Sequence, residues 1–123
     1  MLAKNIWKNA LSLIPGGNGL ISKRPERFLP NLWPTYYISS NGIKVKALNG
    51  KVYKDFAQMG FGTSTLGYAN KEIDNKVIKA IKSGISTTLN CTEEYIFAKK
   101  ILSFDTFADQ VKFAKGGGEA MSI

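Results

Sequence analysis

Histidine is absent from this sequence, and cysteine occurs once, at Cys91. Without imidazole, neither a Ser-His-Asp nor a Cys-His nucleophile can be assembled from the chain's own residues. Zinc sites that use imidazole are excluded as well, and one thiol cannot make a thiolate cage, so no metal is expected. A lone cysteine has no internal disulfide partner, which fits a reducing compartment and leads us to expect a cytoplasmic location. No apolar run approaches the roughly 18 residues of a membrane helix. The opening residues, Met1 to Lys8, carry no long apolar stretch and no small-residue cleavage site. Arginine is also scarce: Arg24 and Arg27 stand against 15 lysines. Any chemistry must rest on a bound cofactor, on carboxylates and lysines, or on residues this sequence does not contain.

What remains is ordinary globular composition, 44% hydrophobic and 21% charged over 123 residues, room for one domain. The net charge of +8 raises the question of nucleic acid. Arginine, with its bidentate fork, is the usual reader of phosphates and guanine edges, and the excess here is lysine. The excess is also uneven. Residues 1–54 hold nine basic groups against Glu26 alone, whereas residues 55–123 hold eight of each sign. Lys44, Lys46, Lys51 and Lys54 alternate with apolar residues, as on the solvated face of a hairpin. A nucleic-acid partner is therefore not expected.

Along the chain, Ile6, Ala10 and Leu13 share one face of a helix over residues 4–13, with Trp7 and Leu11 beside it. Pro15-Gly16-Gly17-Asn18-Gly19 ends it. Residues 15–34 contain all four prolines and are expected to be extended and irregular. From Gly42 the period becomes two: Ile43, Val45 and Ala47 alternate with lysines, Asn49-Gly50 follows, and then Val52 to Phe56. This predicts a β-hairpin with a two-residue type I′ turn. Residues 59–69 are glycine-rich and allow close backbone approach, to a ligand or to a packed neighbour. Ile73, Val77, Ile78 and Ile81 predict a helix over 71–83, capped by Asn70 and closed by Gly84. A further helix is predicted over 92–104, with Thr92 as its cap. Residues 110–114 read as a short strand running into Lys115-Gly116-Gly117-Gly118-Glu119-Ala120, and Met121-Ser122-Ile123 as the start of another helix. The sequence then breaks off in the first turn of that helix, so we expect part of a longer protein.

The strand–glycine–helix junction is the best candidate for binding. Amides on a glycine turn converge on an anion, and a helix N-terminus adds partial positive charge. Neither a Walker A loop nor Gly-x-Gly-x-x-Gly is present, and a simple tight turn explains the run equally well.

Taken in order, Pro15-Gly16-Gly17 after a helix, the hairpin with Asn49-Gly50, Leu66-Gly67-Tyr68-Ala69 before a helix, and Val111 to Ala120 with its triple glycine resemble the N-terminal part of class III pyridoxal-phosphate aminotransferases. The likeness runs from about Trp7 to Ile123 and points toward the glutamate-1-semialdehyde 2,1-aminomutase group. The Ser22-Lys23-Arg24-Pro25-Glu26 stretch and the Gly-Gly-Glu-Ala ending look more like relatives associated with bacterial surface-polysaccharide synthesis.

The resemblance implies an α/β fold: the N-terminal portion of a fold type I transferase, with residues 1–58 in the small-domain region and 59–123 beginning the large cofactor-binding domain. It implies pyridoxal 5′-phosphate, a homodimer, and a small amino or keto substrate. By that resemblance the cofactor phosphate meets Gly116, Gly117 and Gly118, where Gly118 replaces a usual threonine and removes its hydroxyl. Substrate contacts map to Ser22, Lys23 and Arg24, and to Phe61 where the mutase has a tryptophan. Tyr68, Asn70 and Lys71 stand in a common Gly-His-Ala-His-Pro run. The Schiff-base lysine, the acidic partner of the pyridine nitrogen and the ring-stacking aromatic fall beyond Ile123, so this stretch by itself is expected to be inactive. Two other readings remain: a non-catalytic dimerising module, and a basic nucleic-acid-binding α/β domain.

Overall fold

The computed structural model describes residues 2–57, Gly60, 62–104 and 107–123. It divides into two units, Met1–Ser83 and Gly84–Ile123. Helix α1 spans Leu2–Leu13 and ends ahead of the Pro-Gly-Gly turn, as the periodicity predicts. The proline-rich stretch is irregular but not simply extended, because it contains single 3-10 turns at Ile21–Lys23 and Pro25–Arg27. Phe28 and Trp33 stack there, 4.1 Å between ring centroids.

An antiparallel sheet follows, ordered β1 (Tyr37–Asn41), β2 (Lys44–Ala47) and β3 (Val52–Lys54). The expected hairpin is β2–β3, in register Lys44↔Lys54, Val45↔Tyr53 and Lys46↔Val52. Its turn is not type I′. The Gly50 N–H donates to Ala47 O at 2.9 Å and the Ala47 N–H to Lys51 O at 2.8 Å, so three residues form the loop. Only Gly50, at φ +84°, has positive φ, while Asn49 accepts the Lys51 N–H through its side chain. This is the turn-plus-bulge solution, which needs one left-handed residue where type I′ needs two. Strand β1 carries Tyr37 and Ile38 and pairs with β2 through Tyr37↔Ala47 and Asn41↔Lys44, with an irregularity after Tyr37.

Helix α2 covers Lys71–Lys82. The Asn70 side chain accepts from the Glu72 and Ile73 amides at 3.1 and 3.2 Å, which confirms the expected cap. Gly84 takes φ +90° just past the end. In the second unit, α3 spans Thr92–Leu102, and its cap position is Cys91 rather than Thr92. The Thr92 hydroxyl turns to the Glu93 carboxylate instead. Residues 110–114 form no strand, because the described residues offer them no neighbouring strand to pair with. Phe113 stacks on Phe97 at 5.2 Å. Helix α4 is the single turn Gly117–Ala120, so Gly117 and Gly118 are inside it and Gly116 is its cap position.

Among the described hydrophobic residues only Ala47 is buried, beneath the sheet's turn; Pro25 and Gly17 are buried beside α1. No helix of the described residues is long and apolar enough to cross a membrane.

Candidate functional site

Two glycine clusters frame the possible chemistry. Gly16 and Gly17 sit at φ +74° and +76°, in the left-handed region. A Cβ on Gly16 would run into the Arg24 guanidinium, and one on Gly17 would lie 2.5 Å from the Trp7 ring. The Trp7 Nε1–H donates to Glu26 Oε1 at 2.7 Å. Helix α1, the turn and the 3-10 segment are thus held together by one tryptophan, one arginine and two glycines without side chains.

Beside this knot is a hollow of about 250 Å³ lined by Leu11, Gly16, Ile21, Arg24, Glu26 and Arg27. Arg24 is half-buried, and its Nε–H is buried without an acceptor. A buried guanidinium N–H without a partner is uncommon. Of the three expected substrate residues in this stretch, Ser22 is half-buried, Lys23 is exposed, and Arg24 lines the hollow. Phe61 lies outside the described residues.

Gly116, Gly117 and Gly118 belong to the second unit and contrast with the first pair. Gly116 is extended (φ −129°, ψ 151°), and none of the three has positive φ. A Cβ on any of them would meet nothing within 4 Å. The first amides of a helix have no acceptor within it. The Glu119 carboxylate reaches back to accept the Lys115 N–H at 3.0 Å, one residue before the Gly116 cap, and so fixes the entry to the turn.

The glycine-rich loop before α2 resolves toward packing. Gly42 and Tyr68 exchange two backbone hydrogen bonds of 2.8 Å. Gly67, at φ +94°, abuts Gly42, whose Cα would be 3.3 Å from an added Cβ. The Tyr68 hydroxyl donates to Asp55 Oδ2 at 2.6 Å, and Asp55 Oδ1 accepts the Ala57 N–H. The hydrogen bond to Asp55, then burial and the carboxylate's charge, push the Tyr68 phenol above its ordinary 10.0. Neither this pair nor Trp7–Glu26 was visible in the sequence. Their members are 13 and 19 residues apart, and no period or motif links them.

No protein-family model matches the chain. Among curated proteins it is 34% identical over 116 residues to glutamate-1-semialdehyde 2,1-aminomutase of Campylobacter hominis, covering 93% of this chain and 25% of that one. It is 29% identical over 122 residues to the same enzyme of Sulfurisphaera tokodaii, and 29% over 120 residues to 3-aminobutyryl-CoA aminotransferase of Cloacimonas acidaminovorans. Each of these two alignments covers nearly all of this chain and 28% of the relative. The chain therefore spans about a quarter of the length of the curated relatives it matches. Among solved structures, the FumI protein of Sphingopyxis sp. MTA144, in its pyridoxal-phosphate internal aldimine form, superposes at TM-score 0.82 with 26% identity, over 97% of this chain and 28% of that one. An omega-transaminase from Sphaerobacter thermophilus does so at 0.79 with 21% identity, over 98% and 26%, a likeness that shows the fold alone. In sequence the chain is similar to about a quarter of glutamate-1-semialdehyde 2,1-aminomutases, and in backbone to a similar share of a protein solved in its pyridoxal-phosphate internal aldimine form.

Proposed function

We propose that the chain contributes the phosphate cup and one substrate-facing wall of a pyridoxal-phosphate-dependent aminotransferase or aminomutase that acts on a small amino or keto compound. The carrying observation is that three consecutive glycines start a helix although neither the backbone angles nor any described neighbour requires them. Glycine in a helix costs about 0.5–1 kcal/mol relative to alanine. A requirement that the chain itself does not impose is met by a group that approaches the bare backbone, and a phosphate is such a group.

In this reading the amides at Gly116, Gly117 and Gly118 hold the cofactor phosphate through N–H donors alone, without the threonine hydroxyl usual in the family. Pyridoxal phosphate, when bound, supplies an electron sink for chemistry at the substrate's Cα. Arg24 faces a substrate carboxylate with its unclaimed Nε–H, a charge-assisted contact that orients the substrate, with Ser22 and Lys23 beside it. Phe61 supplies an aromatic wall. Residues 1–58 serve the small-domain region and residues 59–123 begin the large domain, in a cytoplasmic homodimer that works without metal or nucleic acid. No lysine of this chain is assigned the covalent link to the cofactor. The comparisons favour neither the non-catalytic module nor the nucleic-acid reading.

Equilibrium titration tests the cup. Pyridoxal 5′-phosphate and inorganic phosphate, but not unphosphorylated pyridoxal, should bind the chain, and Gly118→Val should weaken that binding at least about tenfold. Equal binding of pyridoxal and its phosphate, or no effect of Gly118→Val, would remove the assignment. Mixed with cofactor, the chain should also show no lysine-bound absorbance band that a single lysine substitution abolishes.

A further inference from the structure

One face of the sheet gathers positive charge at a cost to folding. By the strand registers, Lys44, Lys46 and Lys54 share that face with Ser39, Asn41 and Val52, and all six are exposed. The opposite face carries the half-buried Ser40 and Val45 and the buried Ala47. Cross-strand bonds fall at Ala47–Lys51 and Ile43–Asp55, so Lys44↔Lys54 between them is a non-hydrogen-bonded pair. Its Cβ atoms stand about 4.5–5.5 Å apart, and like charges so placed destabilise a hairpin. A carboxylate on either strand would remove the repulsion, yet residues 27–54 contain no Asp or Glu. The acids at either end of that stretch are taken, Glu26 by the Trp7 indole and Asp55 by the Tyr68 hydroxyl. None of the three lysines has a hydrogen bond or ion pair among the described residues.

The arrangement of these charges selects their partner. Antiparallel strands rise about 3.4 Å per residue, which puts Lys44 and Lys46 about 6.8 Å apart along β2. An extended peptide with an acid at every second position repeats at the same distance. Single-stranded nucleic acid fits less well, since its binding surfaces stack bases on aromatic side chains and this face has none. Nor does the face have arginine, the side chain suited to bidentate phosphate contact. We propose that the lysine face of β2 and β3 is a docking surface for an extended acidic segment of another polypeptide, laid along β2 with Asp or Glu at alternate positions. Its carboxylates meet the ammonium groups of Lys44, Lys46 and Lys54, and Ser39 and Asn41 offer hydrogen bonds along one side. This surface does not depend on whether the chain binds a cofactor.

The test follows the fluorescence anisotropy of a labelled peptide of alternating Glu and Ser as the whole chain is added. The peptide should bind at least about threefold more tightly than one of the same composition with its Glu and Ser in two blocks, and both should weaken as salt rises. Lys44→Ser with Lys46→Ser should weaken binding at least about tenfold, whereas Lys79→Ser with Lys82→Ser on α2, equal in charge lost, should leave it within about twofold. Lys54→Glu separates binding from folding. It should abolish binding while slowing exchange of the Ala47 and Asp55 amides, which bond across the hairpin at 2.8 and 2.7 Å, at least about twofold. Equal affinity for the two peptides, equal losses from the two double variants, or binding retained by Lys54→Glu overturns the proposal. Tighter binding of oligo-dT or of phosphatidylserine vesicles than of the alternating peptide overturns it as well.

Discussion

The two glycine clusters of this chain stand in opposite surroundings. At Gly16-Gly17 the demand is internal: both residues have positive φ, and Arg24 and Trp7 occupy the space where side chains would be. At Gly116 to Gly118 the angles suit any residue and the surrounding space is empty. The first cluster is explained by folding. The second is not explained by backbone angle or by packing among the described residues. A glycine run in a sequence therefore becomes informative about ligands only once packing and backbone angle have been subtracted.

The contrast can be broken in four places. Gly17→Ala should have the largest effect, about 3 kcal/mol or more, because it adds both left-handed strain and a clash with the rigid Trp7 ring. Loss of protection at the Trp7 indole N–H would report it, and an unchanged indole would place the demand elsewhere. Gly67→Ala should cost about 2 kcal/mol from its φ of +94° and the approach to Gly42. Broken exchange protection at the Gly42 and Tyr68 amides would show it. Tyr68→Phe should cost about 1.5–3 kcal/mol, as expected for a hydrogen bond to a charged acceptor. This change also has a pH signature. The folded value of Tyr68 is raised, so the folded state holds the proton more tightly and its stabilisation is complete below pH 10.0. It is lost as pH rises through the raised value, and Tyr68→Phe should flatten that alkaline decline in a melting series. Gly117→Ala should have the smallest effect on folding and the opposite sign, a gain of about 0.4–1 kcal/mol, measurable as added helix in circular dichroism. A loss comparable to that of Gly17→Ala would erase the distinction.

The helices were legible because their signals are local. The stripe from Ile73 to Ile81, the Asn70 cap and Gly84 all lie within a few residues of the structure they set. The hairpin was legible for the same reason, although its turn was not: Asn-Gly serves two turn geometries, and the ladder spacing decides between them. Strand β1 escaped notice because Tyr37 and Ile38 lack a clear alternation and the strand is set only by its pairing with β2, in which Ile38 falls at the irregularity. Residues 110–114 show the converse, strand-like composition without a described partner. The C-terminal glycines stood out from their own pattern as a candidate anion turn, and Arg24 was named through family resemblance. The unclaimed Arg24 Nε–H and the Tyr68–Asp55 bond depend on contacts between distant residues, which no local pattern encodes.

The most direct test is a 15N–1H titration with pyridoxal 5′-phosphate that follows every glycine amide at once. The account predicts shifts at Gly116, Gly117 and Gly118 that saturate together, with Gly16 and Gly17 unmoved. Saturating shifts at Gly16 and Gly17 with the C-terminal run silent would contradict it.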